Sequence, residues 1–325
     1  MSKTREVCLM GGLGNQLFQF AFGRVITNFG HDNLVLDTSH DSLRRGIHGL
    51  PEIAEIIGSM NVTFLNSTFN PLSEKLRNYS IRVSSRGLSG KNLCSNISKK
   101  ALEVSINGVL TKGIRRKRVV LADGLEDLSK FETHSPECMY IIGYFQTEKY
   151  FSKICIEDPV TIRILREFAL DSSSRWRHLM PSTSAILHLR RGDYRNSSFG
   201  VLSSDYYRSA LEAISKVTKV QKIYAVSDEN DSLLIQDLGK INSNIEFIKT
   251  HDLTSSEVLG LLAQFKIIVG ANSSLSWWSA AIGGLIQKNI VAFPKQWFRS
   301  GHFGTSLMLP NWIQVGGEVG LWSDM

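Results

Sequence analysis

The amino-acid sequence predicts an α/β protein made of two Rossmann-like domains, and three observations carry that expectation. Short apolar runs alternate with amphipathic stretches through the second half. The first half opens on the same strand, glycine turn and helix pattern. The chain of 325 residues is also too long for one ordinary open α/β domain.

Taken in order, Val7–Met10 reads as a strand, Gln16–Phe29 as a helix after a Gly-rich turn, and Leu34–Asp37 as the next strand. Between residues 60 and 120 Ser, Asn, Arg and Lys dominate with little period, which predicts irregular loops and short helices. Met139–Tyr144 is again strand-like, with a helical stretch from Glu148. A domain boundary is expected between residues 155 and 180, where Glu157-Asp158-Pro159 and Asp171–Ser174 are polar. The second half then reads as strands at Ser184–Arg190, Lys222–Asp228, Ile245–Thr250, Lys266–Ala271 and Ile290–Pro294. Helices between them are expected at Asp205–Val217, Glu229–Gly239, Ser255–Phe265 and Ser276–Gly283. Strands joined by helices of about 10 residues imply a parallel sheet with right-handed crossovers.

Composition removes several function classes. Hydrophobic residues make up 42% and charged residues 21%, so disordered and fibrous readings fall away. The four cysteines, Cys8, Cys94, Cys138 and Cys155, are scattered without C-x-x-C spacing, which argues against a zinc site. No apolar run reaches the roughly 18 residues of a membrane span, and the short polar N-terminus leaves no room for a secretory signal. A cytoplasmic location is the expectation. The net charge of +7 is partly gathered in Arg115-Arg116-Lys117-Arg118 and around Lys99-Lys100. These patches are either solvated loop faces or a weak contact with an anionic membrane surface or glycolipid. No aromatic-interleaved motif accompanies them, so nucleic acid is not expected as a partner.

Three constellations carry chemistry. Gly11-Gly12-Leu13-Gly14-Asn15-Gln16 lies between a strand and a helix, where glycines allow close backbone approach and helix amides attract an anion. Leu17 stands where a dinucleotide fingerprint needs its third glycine, so a tight structural turn explains the segment equally well. His188-Leu189-Arg190-Arg191-Gly192-Asp193-Tyr194 ends a strand. Alternation sends the two arginines to opposite sides. A guanidinium fork suits bidentate phosphate binding; the other reading is arginines held by structural carboxylates, Asp193 among them. Asn272-Ser273-Ser274-Leu275-Ser276-Trp277-Trp278 enters a helix, where small hydroxyl residues and free amides suit phosphate or ribose. A packed helix start is the alternative there, and Trp278 reads as a core anchor.

Together the segments GGLGNQLFQFAFGR (Gly11–Arg24), HLRRGDY (His188–Tyr194), AVSDEN (Ala225–Asn230) and NSSLSWWSAAIGG (Asn272–Gly284) resemble glycosyltransferase family 11, the α1,2-fucosyltransferases. The resemblance implies the GT-B architecture, two Rossmann-like domains facing a cleft. Residues 1–165 would form the acceptor-side domain and 166–325 the GDP-sugar-binding domain. It further implies an inverting transfer of L-fucose from GDP-fucose to the 2-hydroxyl of a galactose-terminated oligosaccharide or glycolipid, in the synthesis of O-antigen or lipopolysaccharide. No divalent metal and no other cofactor are expected, and the sequence contains no D-x-D motif.

Under that resemblance Arg190 is the expected ligand of the leaving β-phosphate, with Arg191 in the site or bracing it. Asp193 is the candidate catalytic carboxylate or a brace for the arginines. His188 would orient the loop or touch the nucleotide. Gly12, Gly14, Asn15 and Gln16 would approach the diphosphate or fucose, Asp228 the ribose or guanine, and Asn272, Ser273 and Ser274 the phosphate or ribose. Leu275 departs from the family pattern, in which an aromatic residue is commoner, and offers the guanine poorer stacking. Rival readings are a fucosyltransferase of α1,6 or protein-directed type, a non-catalytic nucleotide-sugar or glycan-binding module, and a nicotinamide oxidoreductase. The last rests on the glycines alone and has no use for paired arginines.

Overall fold

A computed structural model describes residues 2–40, 42–46, 49–65, 117–121, 138–179, 182–195, 197, 199–229, 236–239, 244–299, 307–316 and 321–323. The chain divides into two compact units, Met1–Thr161 and Ile162–Met325, and each contains a wholly parallel sheet.

The first sheet holds β1 (Thr4–Cys8), β2 (Asn33–Asp37), β3 (Thr63–Leu65), β4 (Lys117–Leu121) and β5 (Cys138–Ile142), in the order β3-β2-β1-β5-β4. Helix α1 (Leu13–Ile26) is buried at every position except Asn15, which explains its almost continuous apolar sequence. It starts three residues before the expected Gln16. Gly12 is extended (φ −84°, ψ 177°), and the chain turns helical directly after it. The helix stops short of Phe29 because Asn28 and Phe29 take positive φ, 47° and 55°. β3 and β4 occupy stretches where the sequence predicts irregular chain. Both are edge strands, and two or three consecutive apolar residues carry too little period to be recognised. Lys117 and Arg118 of the basic tract open β4, while Arg115, Arg116 and Lys99-Lys100 lie outside the described residues.

The expected polar boundary is built differently. Helix α2 (Glu148–Glu157) ends, and Asp158 caps helix α3 (Pro159–Asp171) through the Thr161 amide at 3.1 Å, with Pro at the first helical position. Asp158 is buried and receives the Arg24 Nε hydrogen bond at 2.8 Å. The division between the units falls inside α3.

The second sheet has six strands, β6 (Ser184–Leu189), β7 (Lys222–Ser227), β8 (Ile245–Ile248), β9 (Ile267–Val269), β10 (Ile290–Pro294) and β11 (Ile313–Val315). Their order is β11-β10-β9-β6-β7-β8. β11 is a three-residue edge that the sequence pattern does not announce. Every residue of β6 is buried, as befits a parallel strand covered on both faces. Ala185, Leu187 and Leu189 share a core with Tyr206, Tyr207, Ala210 and Ile214 of α4 (Ser204–Ser215). Helices α5 (Ser255–Gln264) and α6 (Ser274–Ile286) complete the unit. In the expected helix Glu229–Gly239, residues 236–239 are helical and 230–235 lie outside the described residues.

Candidate functional site

In the second unit the chain builds β7 and β8 on one side of β6, then crosses to β9, β10 and β11 on the other. The loops leaving β6 and β9 therefore diverge at a topological switch point, where open parallel sheets bind their ligands. His188–Tyr194 leaves β6 and Gly270–Ser274 leaves β9.

Arg190 stands at this point with its side chain 17% exposed. Nη1 lies 2.6 Å from Asp228 Oδ2 and Nη2 2.6 Å from Asp193 Oδ1. Its guanidinium also covers the Tyr194 ring, 5.2 Å from the centroid. Arg191 turns the other way, as strand alternation predicts. It is buried, donates from Nη1 to the Leu202 carbonyl at 2.8 Å, and gives its backbone amide to Asp228 Oδ1 at 2.8 Å. Of the two arginines, Arg190 reaches the loop surface and Arg191 braces the turn.

His188 links the two loops. Its Nδ1 pairs with Ser276 Oγ, which also accepts the Ala271 amide at 3.2 Å, and its carbonyl accepts the Tyr207 hydroxyl at 3.0 Å. Burial first, and the Arg190 charge second, push its pKa down to about 3. The buried imidazole thus ties the end of β6 to the start of α6.

The segment after β9 splits likewise. Asn272 is fully buried, and its Nδ2 donates to the carbonyls of Phe199, Gly200 and Trp297, each at 3.2 Å. This is a structural tie, against the expectation of a phosphate or ribose contact. Gly200, at φ +78°, has no room for a side chain: a Cβ would stand 2.7 Å from Arg299 Cβ. Ser273 is the N-cap of α6 but makes no side-chain cap bond, and no acidic residue stands in the first turn. The amides of that turn, with the half-buried Ser274, make a positive end suited to an anion. By contrast, α5 has a complete capping box from Thr254 and Glu257. Trp277 and Trp278 pack edge to face in the core at 5.1 Å.

The first unit has its own switch point, between β1 and β5. Gly11 takes φ +71° to leave β1. The Leu13 amide donates to Glu52 Oε2 at 2.6 Å, so a carboxylate from the chain itself sits at the start of α1. In the glycine loop, expected to meet a diphosphate, the Leu13 amide is thus taken by an internal carboxylate. Gln16 is buried, its Nε2 on the carbonyls of Gly11 and Arg44 and its Oε1 on the Ile53 amide, all within 3.0 Å. Gln16 is a loop tie and Gly14 is buried in the helix. Asn15 alone of this motif's side chains faces outward, half-buried, with Oδ1 accepting from Gln146 Nε2 at 2.8 Å. Gln146 follows Phe145, a buried residue at φ 52° whose ring stacks on Phe22 at 3.8 Å. Sequence reading missed Glu52 and Gln146, since neither belongs to a motif. Asp37, at the end of β2, is buried and accepts the Tyr140 hydroxyl at 2.5 Å and the Ser39 hydroxyl at 3.0 Å.

Among the described residues no three His, Cys, Asp or Glu side chains gather as a metal group, and no helix is long and apolar enough to cross a membrane.

Residues 103–316, more than half of the chain, match the family model for glycosyl transferase family 11. Two relatives from Escherichia coli are similar along nearly their whole length. The O-antigen biosynthesis glycosyltransferase WbnK is 25% identical over 336 aligned positions, covering 95% of this chain and 99% of its own. An α-1,2-colitosyltransferase is 22% identical over 320, covering 94% and 97%. Among solved structures, the fucosyltransferase NodZ from Bradyrhizobium is 10% identical with a TM-score of 0.40, covering 86% of this chain and 93% of that one.

Proposed function

The chain belongs to glycosyl transferase family 11, and from that premise we propose that it transfers L-fucose from GDP-fucose to the 2-hydroxyl of a terminal galactoside, with inversion and without a metal. The observation that carries this reading is Arg190, a guanidinium at the switch point of a parallel sheet that also holds the uncapped start of α6. Transfer leaves charge on the departing β-phosphate. Preorganised donors aimed at that charge are commonly the largest catalytic contribution. In this reading Arg190 takes β-phosphate oxygens, and the first-turn amides of α6 and Ser274 take others. Residues 166–325 are the donor side and 1–165 the acceptor side.

The relative named for O-antigen biosynthesis supports an O-antigen glycan as acceptor. The relative named for α-1,2 transfer of colitose supports the linkage. That same name favours a second donor, the GDP derivative of colitose, which lacks the 3-hydroxyl of fucose.

The test is incubation with GDP-fucose or GDP-colitose and a panel of galactosides, with linkage analysis of the product. An α1,2-fucosyl galactoside is expected; transfer of colitose alone would select the second donor, and transfer of neither sugar would sink the proposal. Arg190→Lys replaces a fork by a point charge and should lower kcat by about 100-fold or more at an unchanged melting temperature. Near-normal turnover in that variant would make Arg190 a structural residue.

A further inference from the structure

We infer that the two carboxylates on Arg190 have opposite tasks: Asp228 stays with the guanidinium as a positioning residue, and Asp193 gives way to the donor's diphosphate. The inference rests on the reading of Arg190 as the phosphate ligand and assigns Asp228 a role other than holding ribose or guanine.

Asp228 is built into the turn. Oδ2 holds Arg190 Nη1 at 2.6 Å and Oδ1 accepts the Arg191 amide at 2.8 Å, so each oxygen already serves the arginine loop. It directly follows β7, whose Ser227 is in register with Leu189 at the end of β6. Its side chain is 23% exposed. The absence of a side chain at Gly192 makes room for it, since a Cβ there would lie 3.0 Å from Asp228 Oδ2. Asp193 differs in place and exposure. It lies on the short 3-10 turn Gly192–Tyr194, is 53% exposed, and meets Arg190 at Nη2 from three residues away. A solvated ion pair of this kind is weak, whereas a pair tied into the backbone resists breaking.

The geometry of arginine completes the argument. With Nη1 fixed by Asp228, Nη2 and Nε point to one side of the fork and can make two parallel bonds to phosphate. Asp193 occupies Nη2, and a side-chain rotation into water vacates it. If neither carboxylate moved, three anions would share one cation.

The experiment measures GDP and GMP affinity by calorimetry on the full chain. Asp228→Asn should weaken GDP by roughly tenfold, the scale of coupling within one hydrogen-bond network. Asp193→Asn should bind GDP as tightly as the parent or more tightly. GMP lacks the β-phosphate and should be indifferent to Asp228→Asn. In an Arg190→Lys background, Asp228→Asn should cost nothing further. Equal losses for GMP and GDP, or additive losses in the double variant, would show Asp228 touching the nucleotide and overturn the inference. A loss in Asp193→Asn as large as in Asp228→Asn would overturn it as well. Gly192→Ala presses a methyl on the Asp228 carboxylate without deleting it and keeps the test open if Asp228→Asn fails to fold. It should weaken GDP in the same direction, and unchanged affinity would count against the clamp. Wild-type GDP affinity in Arg190→Lys alone would instead remove the phosphate-ligand reading on which the inference stands.

Discussion

Adjacent residues in one motif have unlike fates, and direction decides which. Arg190 and Arg191 differ by one position on a strand end, so one guanidinium reaches the loop carboxylates and the other the buried Leu202 carbonyl. His188 is equally determined by its surroundings. Its pKa is pushed from 6.5 to about 3, so the native protein binds fewer protons than the unfolded chain between those values. Stability should therefore be intact above pH 6.5 and fall as the pH drops toward 3, by up to about 5 kcal/mol from this residue. His188→Gln should flatten this part of the curve. Denaturant titrations across the range would measure it, and parallel slopes for the two proteins would exclude a buried neutral imidazole.

Loops between elements show where a motif's polar residues are engaged. The end of β6 is joined to the start of α6 by His188 and Ser276, and the start of α1 to the chain after β5 by Asn15 and Gln146. Asn272 holds a third connection, to Phe199, Gly200 and Trp297. Asn272→Ala takes a donor from the buried carbonyls of Gly200 and Trp297 and should cost about 2 kcal/mol or more of stability. Asn272→Asp should cost more, because a carboxylate would face three carbonyl oxygens. The melting temperature should fall in both, while GDP affinity of the folded protein stays within about twofold. Lost affinity at an unchanged melting temperature would return Asn272 to the nucleotide site. Strand and helix positions were legible in the sequence because apolar period survives along a contiguous run, as at Ile290–Pro294, where expectation and strand coincide. β3 and β11 were not legible, because strands of three residues have no period to display.

The whole molecule repeats one architecture, a parallel sheet reversed about a central strand, in each of its two units. Each sheet brings polar side chains and glycines to its switch point, and in the second unit the charge offered there is Arg190 and the start of α6. On the proposed reading these fixed charges do the work of a cation. EDTA should then leave kcat within about twofold of its value, since preorganised donors need no exchangeable ion. A loss of turnover restored by Mn²⁺ or Mg²⁺ would contradict the metal-free mechanism.

By itself the sequence determined the α/β class, the longer strands and helices in their order and, through four contiguous motifs, the family. These depend on neighbours along the chain, where period and spacing are preserved. Only the tertiary structure decided which residues in those loops are available to a ligand. Glu52 takes the Leu13 amide from 39 residues away, Phe199 receives Asn272 across 73, and Asp228 meets the Arg191 amide across 37. A polar side chain's role follows from the group opposite it, and that group is brought there by folding.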